Sequence, residues 1–77
     1  MDMQIDYKIV KEIGILSRKE TRGSIITKEL NLISYGDKDP KYDIRNWRDD
    51  GDKKTMLKGI TLTKEEFETL KTIGMGV

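Results

Sequence analysis

Lys41, Arg45 and Trp47 stand at spacings of four and two, which on an extended strand puts two cations and the only tryptophan on one face. Asn31 and Tyr35 share a face of the segment before them. If Lys54, Met56 and Lys58 keep strict alternation further on, they bring two more cations. Lys28 and Lys38 extend the basic set. Cations track phosphates, and aromatic rings are flat surfaces on which unpaired bases stack, each stack contributing about 1–3 kcal/mol. Such a face suits single-stranded nucleic acid. Exposed aromatics with arginine also suit a protein partner, which is the alternative reading.

Each residue has a plainer reading as well. Trp47 could cap the edge of a small core, and Tyr35 could be an ordinary strand-end tyrosine beside a turn. Arg45 could pair with Asp43 two residues away on its own face, and any one lysine on a strand is usually a solvated residue. Their convergence is more informative than any one of them.

Other chemistries find little support. There is no His for general-base work or zinc and no Cys nucleophile, and the serines lie in no nucleophile elbow. Asp49-Asp50-Gly51-Asp52 lacks the alternating carboxylates and closing Glu of a calcium loop, and reads as an acidic turn. The expectation is a protein that is not an enzyme, with no cofactor, no metal and no small-molecule substrate.

The elements that must position this face follow from hydrophobic patterning. Residues 7–18, YKIVKEIGILSR, are β-branched without a helical stripe and read as a strand, bent or bulged at Gly14. Residues 19–23 read as a polar turn. In residues 24–35, Leu30 and Leu32 fall on one side, with Glu29, Asn31, Ile33 and Tyr35 on the other. After the Gly-Asp-Lys-Asp-Pro turn at 36–40, residues 41–48 alternate again, Tyr42 and Ile44 opposite Lys41, Asp43, Arg45 and Trp47. Residues 54–62 read as a fourth strand, with Gly59 allowing a kink or a close backbone approach.

Thr63 and Glu66 fit a capping box, and Leu62 with Phe67 a hydrophobic staple. Phe67, Leu70 and Ile73 then recur at helical spacing, and Gly74 is the expected C-cap. Four strands followed by one helix predict an α+β fold, an antiparallel sheet with a C-terminal helix on one face. The face bearing Arg45 and Trp47 is then expected to stay open.

Length and composition bound the rest. Seventy-seven residues make one domain, 1–77, with flexible ends expected at 1–6 and 75–77. With 35% hydrophobic and 38% charged residues the core is thin, and a core of this size rarely contributes more than about 3–5 kcal/mol net. Without disulfides or zinc, oligomerisation is the remaining support, so a homodimer is expected. Fifteen basic residues against 14 acidic give a net charge of +1, so any basic patch is local. Neither a signal peptide nor a membrane span is read, and the expected location is cytoplasmic.

The ordered set Lys41-Tyr42-Asp43-Ile44-Arg45-Asn46-Trp47, Lys58-Gly59-Ile60-Thr61-Leu62 and Glu65-Glu66-Phe67-Glu68-Thr69-Leu70 resembles the positive cofactor four family of transcriptional coactivators. The likeness is greater to its short bacterial, YdbC-type members, through Glu29-Leu30-Asn31, the aromatic at Tyr35, and Pro-Lys-Tyr-Asp-Ile-Arg at 40–45. The resemblance covers about residues 28–73. It implies a curved β-β-β-β-α unit that dimerises with its helices near the interface and binds single-stranded DNA in transcription regulation, RNA being the alternative ligand. It further implies that Tyr35 is the stacking aromatic, Arg45 the arginine of the Asp-Ile-Arg motif and Lys58 the lysine before Gly-Ile. Two departures, the apolar Ser24-Ile25-Ile26-Thr27 stretch and Ile33 at a basic family position, imply fewer phosphate contacts.

Overall fold

The computed structural model describes residues 6–77, so the N-terminal tail expected over 1–6 lies, apart from Asp6, outside the described residues. Four strands, β1 (Tyr7–Thr21), β2 (Ser24–Tyr35), β3 (Lys41–Asp49) and β4 (Lys54–Leu62), precede one helix, α1 (Lys64–Met75). The strands lie in sequence order and every neighbouring pair is antiparallel. This is the α+β architecture read from the patterning. Among the described residues no helix is long and apolar enough to cross a membrane.

The first turn is tighter than expected. Residues 19–21 belong to β1, Thr21 pairs with Ser24, and only Arg22 and Gly23 form the loop. A two-residue hairpin needs left-handed backbone, which Gly23 supplies at φ 72°. The other expected turns fall between β2 and β3 and between β3 and β4.

Curvature comes from irregular pairing. The β1–β2 ladder slips three times, between Ile9 and Lys11, between Glu12 and Gly14, and between Ile15 and Ser17. The slip at Gly14 matches the expected bulge; the other two have no glycine to announce them. Each such irregularity bends the strand and increases its twist. A fourth slip, between Arg45 and Trp47 on β3, lies beside Gly59 of β4, which pairs with Arg45.

The curl moves the core to the side that patterning left open. Tyr7 pairs with Tyr35 and Trp47 with Thr27, eight residues apart on β2, so a flat sheet would hold the two rings more than about 25 Å apart, yet they approach to 5.9 Å. The fully enclosed side chains are Ile33, Trp47, Asn31 and Asp43, all on this concave face. On the convex face α1 is held by Phe67 stacked on Tyr42, ring centroids 3.9 Å apart, and none of its residues is buried. The expectation of an open Arg45/Trp47 face is thereby corrected: a bent sheet encloses its concave side without help from the helix.

The helix starts as expected, with both hydrogen bonds of the Thr63/Glu66 capping box formed. It ends later. Gly74 lies inside α1, and Gly76 is the cap, its N–H bonding back to Ile73 and Gly74 carbonyls.

Gly59 is required by close approach. A Cβ there would overlap that of Arg45 and lie 2.6 Å from the Ile44 carbonyl oxygen. Overpacking of this kind typically costs about 1–3 kcal/mol, so Gly59→Ala is expected to lower unfolding stability by about 3 kcal/mol. A urea midpoint equal to wild type would show that β3 and β4 separate freely there.

Candidate nucleic-acid interface

Arg45 and Asp43 have the same parity on β3, so both side chains enter the concave face. Asp43 has no solvent exposure. Arg45 answers it with two bonds, Nε to Oδ1 at 2.7 Å and Nη2 to Oδ2 at 2.8 Å. Tyr35, at the end of β2, donates its hydroxyl to Asp43 Oδ2 at 2.7 Å and accepts from Arg45 Nη2 at 3.1 Å. The remaining guanidinium arm, Nη1, donates to the Leu57 carbonyl at 3.0 Å, in the stretch of β4 where the ladder slips. The plainer reading of Arg45, pairing with Asp43, is the one its geometry shows.

Ionisation follows these contacts. Burial pushes the Tyr35 phenol up to about 12, with the bond to the Asp43 carboxylate and its charge adding to the effect and Arg45 opposing it. The bond to Asp43 raises Arg45 above the ordinary guanidinium value, against burial. Burial would raise Glu29, but bonds from Thr27, Lys54 and Asn31 and the charge of Lys54 outweigh it, leaving its carboxyl below the usual range.

Glu29 organises a second polar group. Thr27 Oγ1 donates to its Oε2 at 2.6 Å and Asn31 Nδ2 to its Oε1 at 3.3 Å. Lys54 Nζ crosses from β4 to reach Oε2 at 2.9 Å, and the same ammonium lies 5.3 Å from the centre of the Trp47 ring. Trp47 is 1% exposed, and its Nε1–H is buried with no acceptor among the described residues. The acids on the concave face thus neutralise two of its expected cations: Asp43 pairs with Arg45 as the plainer reading had it, and Glu29 pairs with Lys54, which patterning did not foresee.

The other expected residues are distributed over both faces. Lys38, Lys41, Tyr35 and Arg45 border one depression together with Asp39 and Thr61, and Lys38, Asp39 and Lys41 are exposed. Lys58 does not join them. The slip in the β3–β4 ladder takes it out of step, and it lines a separate depression with Lys28, Ile44, Asn46, Gly59 and Ile60, to which Arg45 also contributes. The expected exposure of Asn31 and Trp47 is likewise corrected, since each is 1% exposed. The residue that sequence reading missed is Tyr7. It is 39% exposed, pairs with Tyr35 across β1 and β2, and holds its ring 6.5 Å from that of Tyr35 and 5.9 Å from that of Trp47. Its signal was an aromatic at the first strand position, but only the pairing register places it beside Tyr35.

A curved four-stranded antiparallel sheet with one C-terminal helix, carrying an Asp-Ile-Arg strand whose arginine is anchored inside the curve, defines a compact class of α+β domains. Residues 26–73 match the family model described as Transcriptional Coactivator p15 (PC4), and the chain belongs to that family. It is also 39% identical over 67 residues to an uncharacterized protein of Treponema pallidum (strain Nichols), an alignment covering 87% of this chain and 73% of the relative.

Two outcomes follow from the Asp43 network. Removing one partner of a buried ion pair typically costs about 3–5 kcal/mol, so Arg45→Ala is expected to lose most of the stability of so small a domain in a thermal melt. Because folding raises the Tyr35 pKa, its contribution to stability is complete below about pH 10 and disappears as pH rises towards about 12. Ultraviolet titration should show a phenolate step near pH 12 that Tyr35→Phe abolishes.

Proposed function

We propose that the chain binds single-stranded DNA with little sequence preference at the open rim of its concave face, in transcription regulation or another DNA-processing role. The observation that carries this reading is the tilted pair Tyr7 and Tyr35, partly exposed and 6.5 Å apart, beside exposed Lys38 and Lys41. Rings at this position offer stacking surfaces, and in this reading the exposed lysines beside them neutralise the phosphate backbone. Membership of the coactivator family supports nucleic-acid binding in general. Arg45 acts in this reading as the organiser that holds Tyr35, and Lys54 as a cation deeper in the groove.

The unit we propose is a homodimer. Ile60, Leu70 and Ile73 are 58%, 45% and 63% exposed along the groove between α1 and β4. A second copy covering this face would leave both concave faces free to hold one strand.

Fluorescence anisotropy with labelled oligothymidine tests the binding. Affinity should fall with salt on a log–log slope of about −0.7 per phosphate neutralised, and Lys41→Ala should reduce the magnitude of the slope by about 0.7. Its unfolding midpoint should stay close to wild type, because surface substitutions usually change stability by less than about 0.5 kcal/mol. Absence of binding, or equal affinity for duplex, overturns the reading; tighter binding to oligouridine reassigns the ligand to RNA.

A further inference from the structure

Lys54, a half-exposed cation, crosses the groove from its β4 edge. Its Nζ reaches from β4 to the Glu29 carboxylate on β2 at 2.9 Å and lies 5.3 Å from the centre of the intervening Trp47 ring. Its side chain keeps 39% exposure, so the ammonium remains open to a ligand, whereas that of Glu29 keeps 7%. Beneath it, the indole has 1% exposure. The free protein therefore holds a cation that is already paired and an aromatic surface that is covered.

Resting on the proposal that this face binds single-stranded DNA, we infer that Glu29 is an internal competitor for phosphate, and that the Lys54–Glu29 pair is a strap over Trp47. A backbone phosphate offers Lys54 the same charge-assisted bond that Glu29 offers. When phosphate takes the ammonium, the strap leaves the indole face, and Trp47 becomes available to a base or to water. The apparent affinity of the free protein is reduced by the fraction of molecules in which the strap is closed.

The strap also explains how a tryptophan placed by its parity among binding residues can be fully enclosed in the unliganded chain. It further selects among ligands: a neutral partner cannot replace Glu29 at Lys54, so only an anionic one opens the strap.

Trp47 is the only tryptophan, so its fluorescence reports the strap directly. In the absence of DNA, Glu29→Gln should increase acrylamide quenching of Trp47 and shift its emission to the red; Lys54→Gln should do the same. With labelled oligothymidine at low salt, Glu29→Gln should bind about threefold to fivefold tighter than wild type, the scale of a partly exposed ion pair. That gain should vanish when Glu29→Gln is made in a Lys54→Gln background, whereas a general effect of removing one negative charge would persist there. Unchanged quenching in both single variants overturns the strap, as does a gain that survives loss of Lys54. If Glu29→Gln fails to fold by circular dichroism, Lys54→Gln alone decides by its quenching. Failure of every variant to bind oligothymidine, with quenching behaving as expected, rejects the DNA reading and leaves the strap standing.

Discussion

A carboxylate with no exposure to water, Asp43, has to be neutralised inside the protein, and the rest of the concave face is arranged around how this is done. Transfer of one such charge from water costs several kcal/mol even after relaxation. Two parallel bonds from Arg45 and one from Tyr35 offset it. That solution constrains three strands at once. β3 presents both charged groups, β2 must end where Tyr35 can reach Asp43, and β4 must turn a carbonyl, that of Leu57, towards the spare arm of Arg45. The slip in the β3–β4 ladder and the side-chain-free position at Gly59 are what let the backbone of β4 come so close. The polar network is therefore the device that sets the register on which any ligand contact depends.

Its second consequence is electrostatic. A count of lysines and arginines along alternating strands makes the concave face strongly basic, but Arg45 and Lys54 are matched by Asp43 and Glu29 within the same face. What remains at the rim is a modest, local field from Lys38 and Lys41, with Asp39 between them, consistent with a net charge of +1 for the chain. In the proposed binding mode long-range attraction of a polyanion is therefore weak, and affinity would come from close contacts with rings and from exchange of internal ion pairs for phosphate ones.

How much of this could be read from the residues depended on whether the signal was local. The helix start was legible because a capping box is a contact between residues three apart, Thr63 and Glu66. Strand parity was legible too, and it sorted Asn31, Ile33, Asp43, Arg45 and Trp47 onto one face. What parity cannot express is curvature. Three slips in β1, only one marked by a glycine, turn that face inward, and a side chain expected in solvent becomes core. The same limit misplaced Lys58, because one ladder slip upsets strict alternation. The Asp43–Arg45 pair was legible because its members stand two residues apart, whereas Glu29 meets Lys54 across 25 residues, a pairing that only the fold creates.

Placing the core on the concave side changes what the helix is for. In a two-layer α+β unit the helix normally encloses the sheet's apolar face, but α1 contributes no buried residue, and its contact with the sheet centres on the Tyr42–Phe67 stack. A helix so lightly docked, with Leu70 and Ile73 still facing outward, is poorly justified as a lid for its own chain. Its apolar residues gain most when another surface covers them, since stabilisation scales with apolar area removed from water. The two faces then divide the work by chemistry. The concave one is held together by polar pairs that a charged ligand can exchange, and the convex one by apolar area that it cannot. In the proposed dimer, assembly through the convex face and ligand exchange on the concave face would thus not compete for the same groups.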